Sequence, residues 1–281
     1  METVYTIAAL RSVLREVRGR GRRVAFVPTM GHLHGGHQAL VRRAAEVGDY
    51  VVASIFVNPT QFGEGEDYSS YPRTPEADAQ KLIEAGTHLL FSPEAGELYP
   101  NGSEGATQVQ VPGLSDILCG AYRAGHFRGV TTVVSILFNL VQPDVAVFGR
   151  KDYQQLVVIR RMVRDLWMPV EIVGVPTTRE PDGLAMSSRN AYLTAEERHR
   201  APQLYRTLCG ARDAILRGET DYPALEARCM QRLGENGFRP EYFSVRRTRD
   251  LAVAGAQDTE LVVLAAAWLG RARLIDNVEV G

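Results

Sequence analysis

A short apolar run, Val24 to Thr29 (VAFVPT), passes through Pro28 into a turn containing Gly31, Gly35 and Gly36, then into the apolar-periodic stretch QALVRRAAEV. This order of strand, glycine-rich turn and helix restricts the fold more than any other feature, because a helix following a strand carries the chain back to start a parallel neighbour. YVVASIFVNP, PEADAQKLIEAG and HLLFSP repeat strand, helix and strand at crossover lengths. GVTTVVSILFNLV then reads as a buried helix, VAVFG as a strand, DYQQLVVIRRMVRDLW as a long amphipathic helix and VEIVGVP as a further strand. The expected class is α/β, a Rossmann-like doubly wound parallel sheet in which VAFVPT is the first strand.

The pattern changes after Pro176, where TTREPDGLAMSSRN is polar and carries Pro181 and Gly183. The boundary is placed there, giving domains 1–176 and 177–281. Thr194 with Glu197 forms a capping box expected to open a helix running to about Leu216, and DYPALEARCMQRL reads as another helix. Three strand-like runs follow, so the second domain is expected to be smaller and α+β.

Composition narrows the partners. Among 281 residues, 32 Lys and Arg oppose 33 Asp and Glu, a net charge of −1, so no global basic field is available to hold nucleic acid. The longest apolar run, Leu261 to Leu269, is far shorter than a membrane span and reads as a buried strand. The start, METVYTIAALRSVLREVRGRGRR, has the alternation of a surface helix rather than a secretory leader, and the mature chain is expected to begin there. Cys119, Cys209 and Cys229 are too scattered for a disulfide framework. They fit small core thiols in a cytoplasmic protein.

The residues with chemistry cluster in PTMGHLHGGH, Pro28 to His37, at the carboxyl end of the first expected strand. Ligands of open α/β sheets bind at that edge. Gly35 and Gly36 let a phosphate approach the next helix's free N–H groups, and His34 and His37 are placed to donate hydrogen bonds to its oxygens. The loop lacks the P-loop lysine pattern and the Gly-x-Gly-x-x-Gly dinucleotide fingerprint. A metal site at His32, His34 and His37 lacks a partner cysteine or carboxylate, and a plain glycine turn stays open for this segment alone. MSSRN, Met186 to Asn190, offers hydroxyls and an arginine in a segment expected to be flexible and to close over a nucleotide, although a solvated linker would read the same.

His34-x-Gly36-His37 with a later Met-Ser-Ser-Arg resembles the paired signatures of the adenylyl-transferring superfamily. PTMGHLHGGH, FVNPTQFGEGEDYSSYPRTPEAD, GHFRGVTTVV, VFGRKDYQQL, DGLAMSSRNAYL and a weaker RLIDN make the chain similar to the pantothenate synthetase family, ligases that join pantoate to β-alanine with ATP. The resemblance implies ATP binding by Met30, Gly31, His32, Leu33, His34, Gly35, Gly36 and His37, with His34 and His37 at the phosphates and His37 foremost in catalysis. It assigns Gly149, Arg150, Lys151 and Asp152 to ATP as well, Lys151 on a phosphate and Asp152 on the ribose. A capping role for Asp152 at its helix start stays open. Thr178 stands where the family often has a valine at the nucleotide, and Gly35 occupies a variable position. Met186, Ser187, Ser188 and Arg189 complete the implied ATP set, with Lys151, Ser187 and Arg189 also catalytic. Gln61 and Gln155 are implied to hold pantoate, Gln61 also β-alanine, and Asn58 to shape the same pocket.

The resemblance further implies Mg²⁺ with ATP, no protein metal cage, a homodimer formed through the first domain, and a second domain acting as a lid over the ATP site. GHFRG and the loop before it read as mobile gates, with the glycines at the two ends, Gly125 and Gly129, as hinges. A nucleotidylyltransferase with another acceptor, or a nucleotide-sensing module without chemistry, remains the competing reading of the two signatures.

Overall fold

The computed structural model describes residues 1–63 and 65–281. It divides into two units, one comprising Met1–Arg150 and Val158–Pro176, the other Lys151–Val157 and Thr177–Gly281.

In the first unit β1 (Glu2–Val4), β2 (Val24–Thr29), β3 (Tyr50–Ile55), β4 (Leu89–Phe91), β5 (Val145–Gly149) and β6 (Glu171–Val175) form one parallel sheet ordered β1-β4-β3-β2-β5-β6. The order reverses at β2, which pairs with β3 on one side and β5 on the other. The first strand is therefore Glu2–Val4 at the sheet edge, not Val24–Thr29. Three residues of which only Val4 is buried leave no alternation to read.

Side chains of successive strand residues point to opposite faces, and each face is covered by helices. Ala25 and Val27 of β2 pack with Val51 and Ala53 of β3 and with Val41, Ala44, Leu82 and Ala85. The last four belong to α2 (Gly35–Val47) and α3 (Pro75–Ala85). On the other face Phe26 meets Phe138 edge-on, with ring centroids 6.4 Å apart. Phe138 belongs to α6 (His126–Val141), which packs against α1 (Ile7–Gly19); single-turn helices α4 (Ala95–Leu98) and α5 (Cys119–Tyr122) lie before it in the chain. Each fully buried side chain such as Phe26, Phe91 or Leu10 contributes roughly 1.5–3 kcal/mol.

The helix expected directly after β5 starts later: one 3-10 turn, Arg150–Asp152, precedes α7 (Tyr153–Asp165). In the second unit the Thr194–Glu197 capping box forms, but the helix to Leu216 is two, α8 (Ala195–Arg200) and α9 (Gln203–Leu216). Pro202 has no N–H to continue the ladder. With α10 (Tyr222–Glu235), these helices accompany an antiparallel sheet of β7 (Arg239–Arg247), β8 (Leu261–Leu269) and β9 (Ala272–Val280). Leu204, Leu208, Leu225, Leu233, Val263 and Leu274 are among the residues of its core. Cys119 and Cys229 are buried and Cys209 half-buried; burial pushes the Cys229 thiol up to about 11. Among the described residues no helix is long and apolar enough to cross a membrane.

Candidate functional site

In the first unit the sequence Met30 to His37 links the end of β2 to α2 at the strand-order reversal. Gly31 and His32 take positive φ, 81° and 49°. A Cβ at Gly31 would lie 3.1 Å from Asp78 Oδ2, so glycine answers both the turn and the close approach. Asp78, on the first turn of α3, accepts from the backbone N–H groups of His32 (2.8 Å) and Leu33 (2.7 Å) and from the Thr74 hydroxyl (3.1 Å). Lys81, one turn on, donates to the Leu33 carbonyl (2.7 Å). A helix from elsewhere in the chain thus clamps the loop from both its donor and its acceptor side.

The clamp delivers His34 to the N-cap of α2. Its Nδ1 accepts from the Gly36 N–H (3.1 Å), while His37 Nδ1 accepts from the His34 N–H (3.3 Å), a capping box built from two imidazoles. The rings lie 4.1 Å apart. A nitrogen that accepts carries no proton, so in each ring the nitrogen left to act as a donor is Nε2. Two such donors beside a helix N-terminus form an arrangement suited to anionic oxygens.

Asn58 and Gln61 belong to the same unit. Asn58 caps the 3-10 turn Pro59–Gln61 and is 1% exposed. Its Oδ1 accepts from Thr60 N (3.3 Å), Thr60 Oγ1 (3.0 Å) and Tyr99 OH (2.9 Å), and its Nδ2 donates to Gly129 O (3.1 Å) and Gln61 Oε1 (3.2 Å). Burial raises the Tyr99 hydroxyl above its ordinary value, keeping it a neutral donor. Gln61 Nε2 also lies 2.8 Å from Met30 Sδ, joining this turn to the histidine loop.

Gly129, read from sequence as a hinge, instead lies inside α6: a Cβ there would fall 2.2 Å from Thr60 O. Its role is close packing of the helix on the Gln61 turn. His126 Nδ1 lies 2.7 Å from Gln61 O and its Nε2 3.0 Å from Arg123 Nη1. A carbonyl only accepts and a guanidinium only donates, which fixes the Nδ1–H tautomer. Arg123 is paired with Glu66 through Nε (2.8 Å) and Nη2 (2.6 Å). Gly149 closes β5, beside β2 in the sheet, and Arg150 opens the 3-10 turn that follows.

The second unit holds the remaining expected residues. Lys151 and Asp152 lie in the 3-10 turn, Lys151 Nζ 3.7 Å from Asp152 Oδ1, and half-buried Gln155 lies in the first turn of α7. Thr178 O accepts from Met186 N (3.0 Å), and Arg179 bridges Ala185, so this segment forms a hairpin. Arg179 forks onto Asp276 (2.6 and 3.0 Å), and this long-range ion pair fixes the hairpin. Ser187 caps the following 3-10 turn, Ser188–Tyr192, its Oγ accepting from Arg189 N (3.3 Å). Lys151 and Ser187 line one small cavity with Asn190 and Asp276.

Asp78, Lys81, Arg179 and Asp276 were not singled out by sequence reasoning; only the RLIDN run pointed near the last. Among the described residues no three His, Cys, Asp or Glu side chains form a group able to hold a metal ion.

Comparison with known proteins adds four findings. Residues 2–279 match the family described as Pantoate-beta-alanine ligase. The pantothenate synthetase of Pseudomonas fluorescens is 58% identical over 280 residues, covering 100% of this chain and 98% of the relative. Among solved structures, a pantothenate synthetase from Thermus thermophilus has TM-score 0.92 and 50% identity, covering 99% of both chains. The pantoate-beta-alanine ligase of Francisella tularensis, complexed with beta-gamma ATP and beta-alanine, has TM-score 0.82 and 32% identity, covering 99% of this chain and 97% of its own.

Proposed function

The chain belongs to the pantoate–β-alanine ligase family, and from that premise we propose how its own residues carry the reaction, the ATP-dependent condensation of pantoate with β-alanine. In the first step a pantoate carboxylate oxygen attacks the α-phosphorus of ATP, forming pantoyl adenylate and releasing pyrophosphate. In the second the neutral amine of β-alanine attacks the activated carbonyl, forming the amide and releasing AMP and a proton.

The observation that carries this reading is the N-terminus of α2. There His34 and His37 both accept backbone N–H groups at Nδ1, which leaves Nε2 as the nitrogen able to carry a donor proton. Donors already fixed in place stabilise charge as it moves onto the departing pyrophosphate without reorganising. Lys151, Ser187, Ser188 and Arg189 are assigned to the phosphates, Arg189 through its fork. Met30 to Leu33, Gly35, Gly36, Gly149, Arg150, Thr178 and Met186 complete the nucleotide set, and Asp152 is assigned to the ribose. Gln61 and Gln155 hold pantoate, their amides meeting both hydroxyl and carboxylate, Asn58 fixes the Gln61 side chain, and Gln61 also meets β-alanine.

Mg²⁺ is assigned to the nucleotide substrate; bound with the triphosphate, it would offset phosphate charge beside the residues assigned there. Residues 1–176 are taken as the nucleotide- and pantoate-binding domain and 177–281 as the smaller domain. A cytoplasmic homodimer assembled through the first domain is part of the same proposal, tested by sedimentation of the purified chain.

ATP–pyrophosphate isotope exchange tests the mechanism. With MgATP and pantoate, and β-alanine absent, exchange is expected, and other carboxylic acids should not replace pantoate. Exchange that appears only with β-alanine present would overturn the adenylate step.

A further inference from the structure

The C-terminal run Arg273 to Asn277 (RLIDN) has no part in the reaction as assigned. Yet it places a carboxylate and an amide, Asp276 and Asn277, at 4% and 6% exposure on β9. Such groups are costly there unless fully partnered.

Their partners lead to two segments of the nucleotide set. Asp276 takes the Arg179 fork and accepts from the Asn277 N–H (2.7 Å). Arg179 also donates to Gly183 O (3.1 Å) and Asn277 O (3.3 Å), and its guanidinium lies 3.6 Å above the Tyr205 ring. The guanidinium is therefore held on its edge and on its face. Because Arg179 bridges Ala185 and Thr178 O holds Met186 N, fixing Arg179 fixes the limb that runs into Ser187, Ser188 and Arg189. Asn190 Nδ2 closes the far end on Ala185 O (3.0 Å). From the neighbouring position Asn277 Nδ2 donates to Lys151 O (2.9 Å). Lys151, Ser187 and Asp276 line one cavity with room for about one water, so both segments meet at β9.

We infer that Asp276 and Asn277 are positioning residues for adenylation: Asp276 through Arg179 sets the Met186–Arg189 segment, Asn277 sets the backbone at Lys151, and together they hold both phosphate-binding segments in one geometry before ATP binds. The inference rests on the assignment of Lys151 and Met186–Arg189 to the phosphates.

The test is pantoate-dependent ATP–pyrophosphate exchange in three variants, each checked by near-ultraviolet circular dichroism and thermal unfolding. Asn277→Ala releases the Lys151 carbonyl. Asp276→Asn keeps one acceptor oxygen but removes the charge opposite the half-buried Arg179 guanidinium and can unfold the unit, so the double variant Arg179→Met/Asp276→Leu removes the fork with no charge left behind. In the folded variants kcat/KM for ATP should fall by about tenfold or more, since small displacements of positioned groups are costly in rate. KM for pantoate should stay within about twofold. Wild-type ATP parameters in folded Asn277→Ala and the folded double variant, with Lys151→Ala at least about 100-fold slow in parallel, would show the network to be structural only. An equal loss for ATP and pantoate would overturn the inference in the same way. Unimpaired exchange in Lys151→Ala would instead overturn the phosphate assignment, and this inference with it.

Discussion

Asp78→Ala removes the acceptor that holds the histidine loop, and its cost follows from the bonds lost. The carboxylate is 1% exposed and accepts from two backbone N–H groups, His32 and Leu33, at 2.8 and 2.7 Å, and from the Thr74 hydroxyl. Hydrogen bonds to a charged group contribute about 1.5–3 kcal/mol each, and the stranded N–H groups add a desolvation cost. Allowing for non-additivity, the loss comes to about 3–5 kcal/mol, a large share of a typical stability of about 5–15 kcal/mol. With a urea slope of about 3 kcal/mol/M, the first unfolding midpoint should fall by more than about 1 M. The same variant frees the backbone just before His34, and a displacement of about 1 Å there should slow pantoate-dependent exchange about 100-fold in the protein that stays folded. Asp78→Asn keeps one oxygen acceptor and turns an amide N–H toward a donor, so it should fall between alanine and wild type in both assays. A midpoint within about 0.3 M of wild type for Asp78→Ala, or undiminished exchange, would refute the clamp.

Three other outcomes follow from the site. His37→Ala and Lys151→Ala should each slow single-turnover adenylation about 100-fold, equivalent to about 3 kcal/mol of transition-state stabilisation; near-normal rates in both would sink their assignment. Gly129→Ala puts a Cβ 2.2 Å from Thr60 O, so it should destabilise the fold by about 1–3 kcal/mol and raise KM for pantoate by shifting the Gln61 turn; a wild-type urea midpoint would contradict that packing. For Glu66, burial works to raise the carboxyl, but the two Arg123 hydrogen bonds and its charge bring it below its ordinary value of 4.5. Its stabilisation is complete above that value and is lost as pH falls through the lowered one, so Glu66→Gln should cost stability at pH 7 and less near pH 3. Equal losses at both would disprove the linkage.

The strand–turn–helix of the histidine loop was legible because everything that specifies it is local: an apolar run, a proline, glycines at the turn and a periodic helix. The buried strand Leu261 to Leu269 was legible for the same reason. Glu2–Val4 was not, since a three-residue edge strand with one buried side chain has no periodic signal. Pro202 lay in plain view, yet the capping box before it and the apolar pattern after it concealed the break. The segment after Pro176 showed only its polarity in the sequence, whereas its hairpin rests on Arg179 meeting an aspartate 97 residues later.

By itself, then, the sequence determined the doubly wound α/β class, the family motifs and the residue types available for phosphate and pantoate, all properties of short windows. Only the tertiary structure decided which partners hold them: Asp78 and Lys81 on the histidine loop, and Asp276 and Asn277 on the segments carrying Ser187 and Lys151. An acid on a helix's first turn or an Asp-Asn pair in a strand is ambiguous in one dimension, because its meaning lies in a backbone group or charge brought near by the closed core.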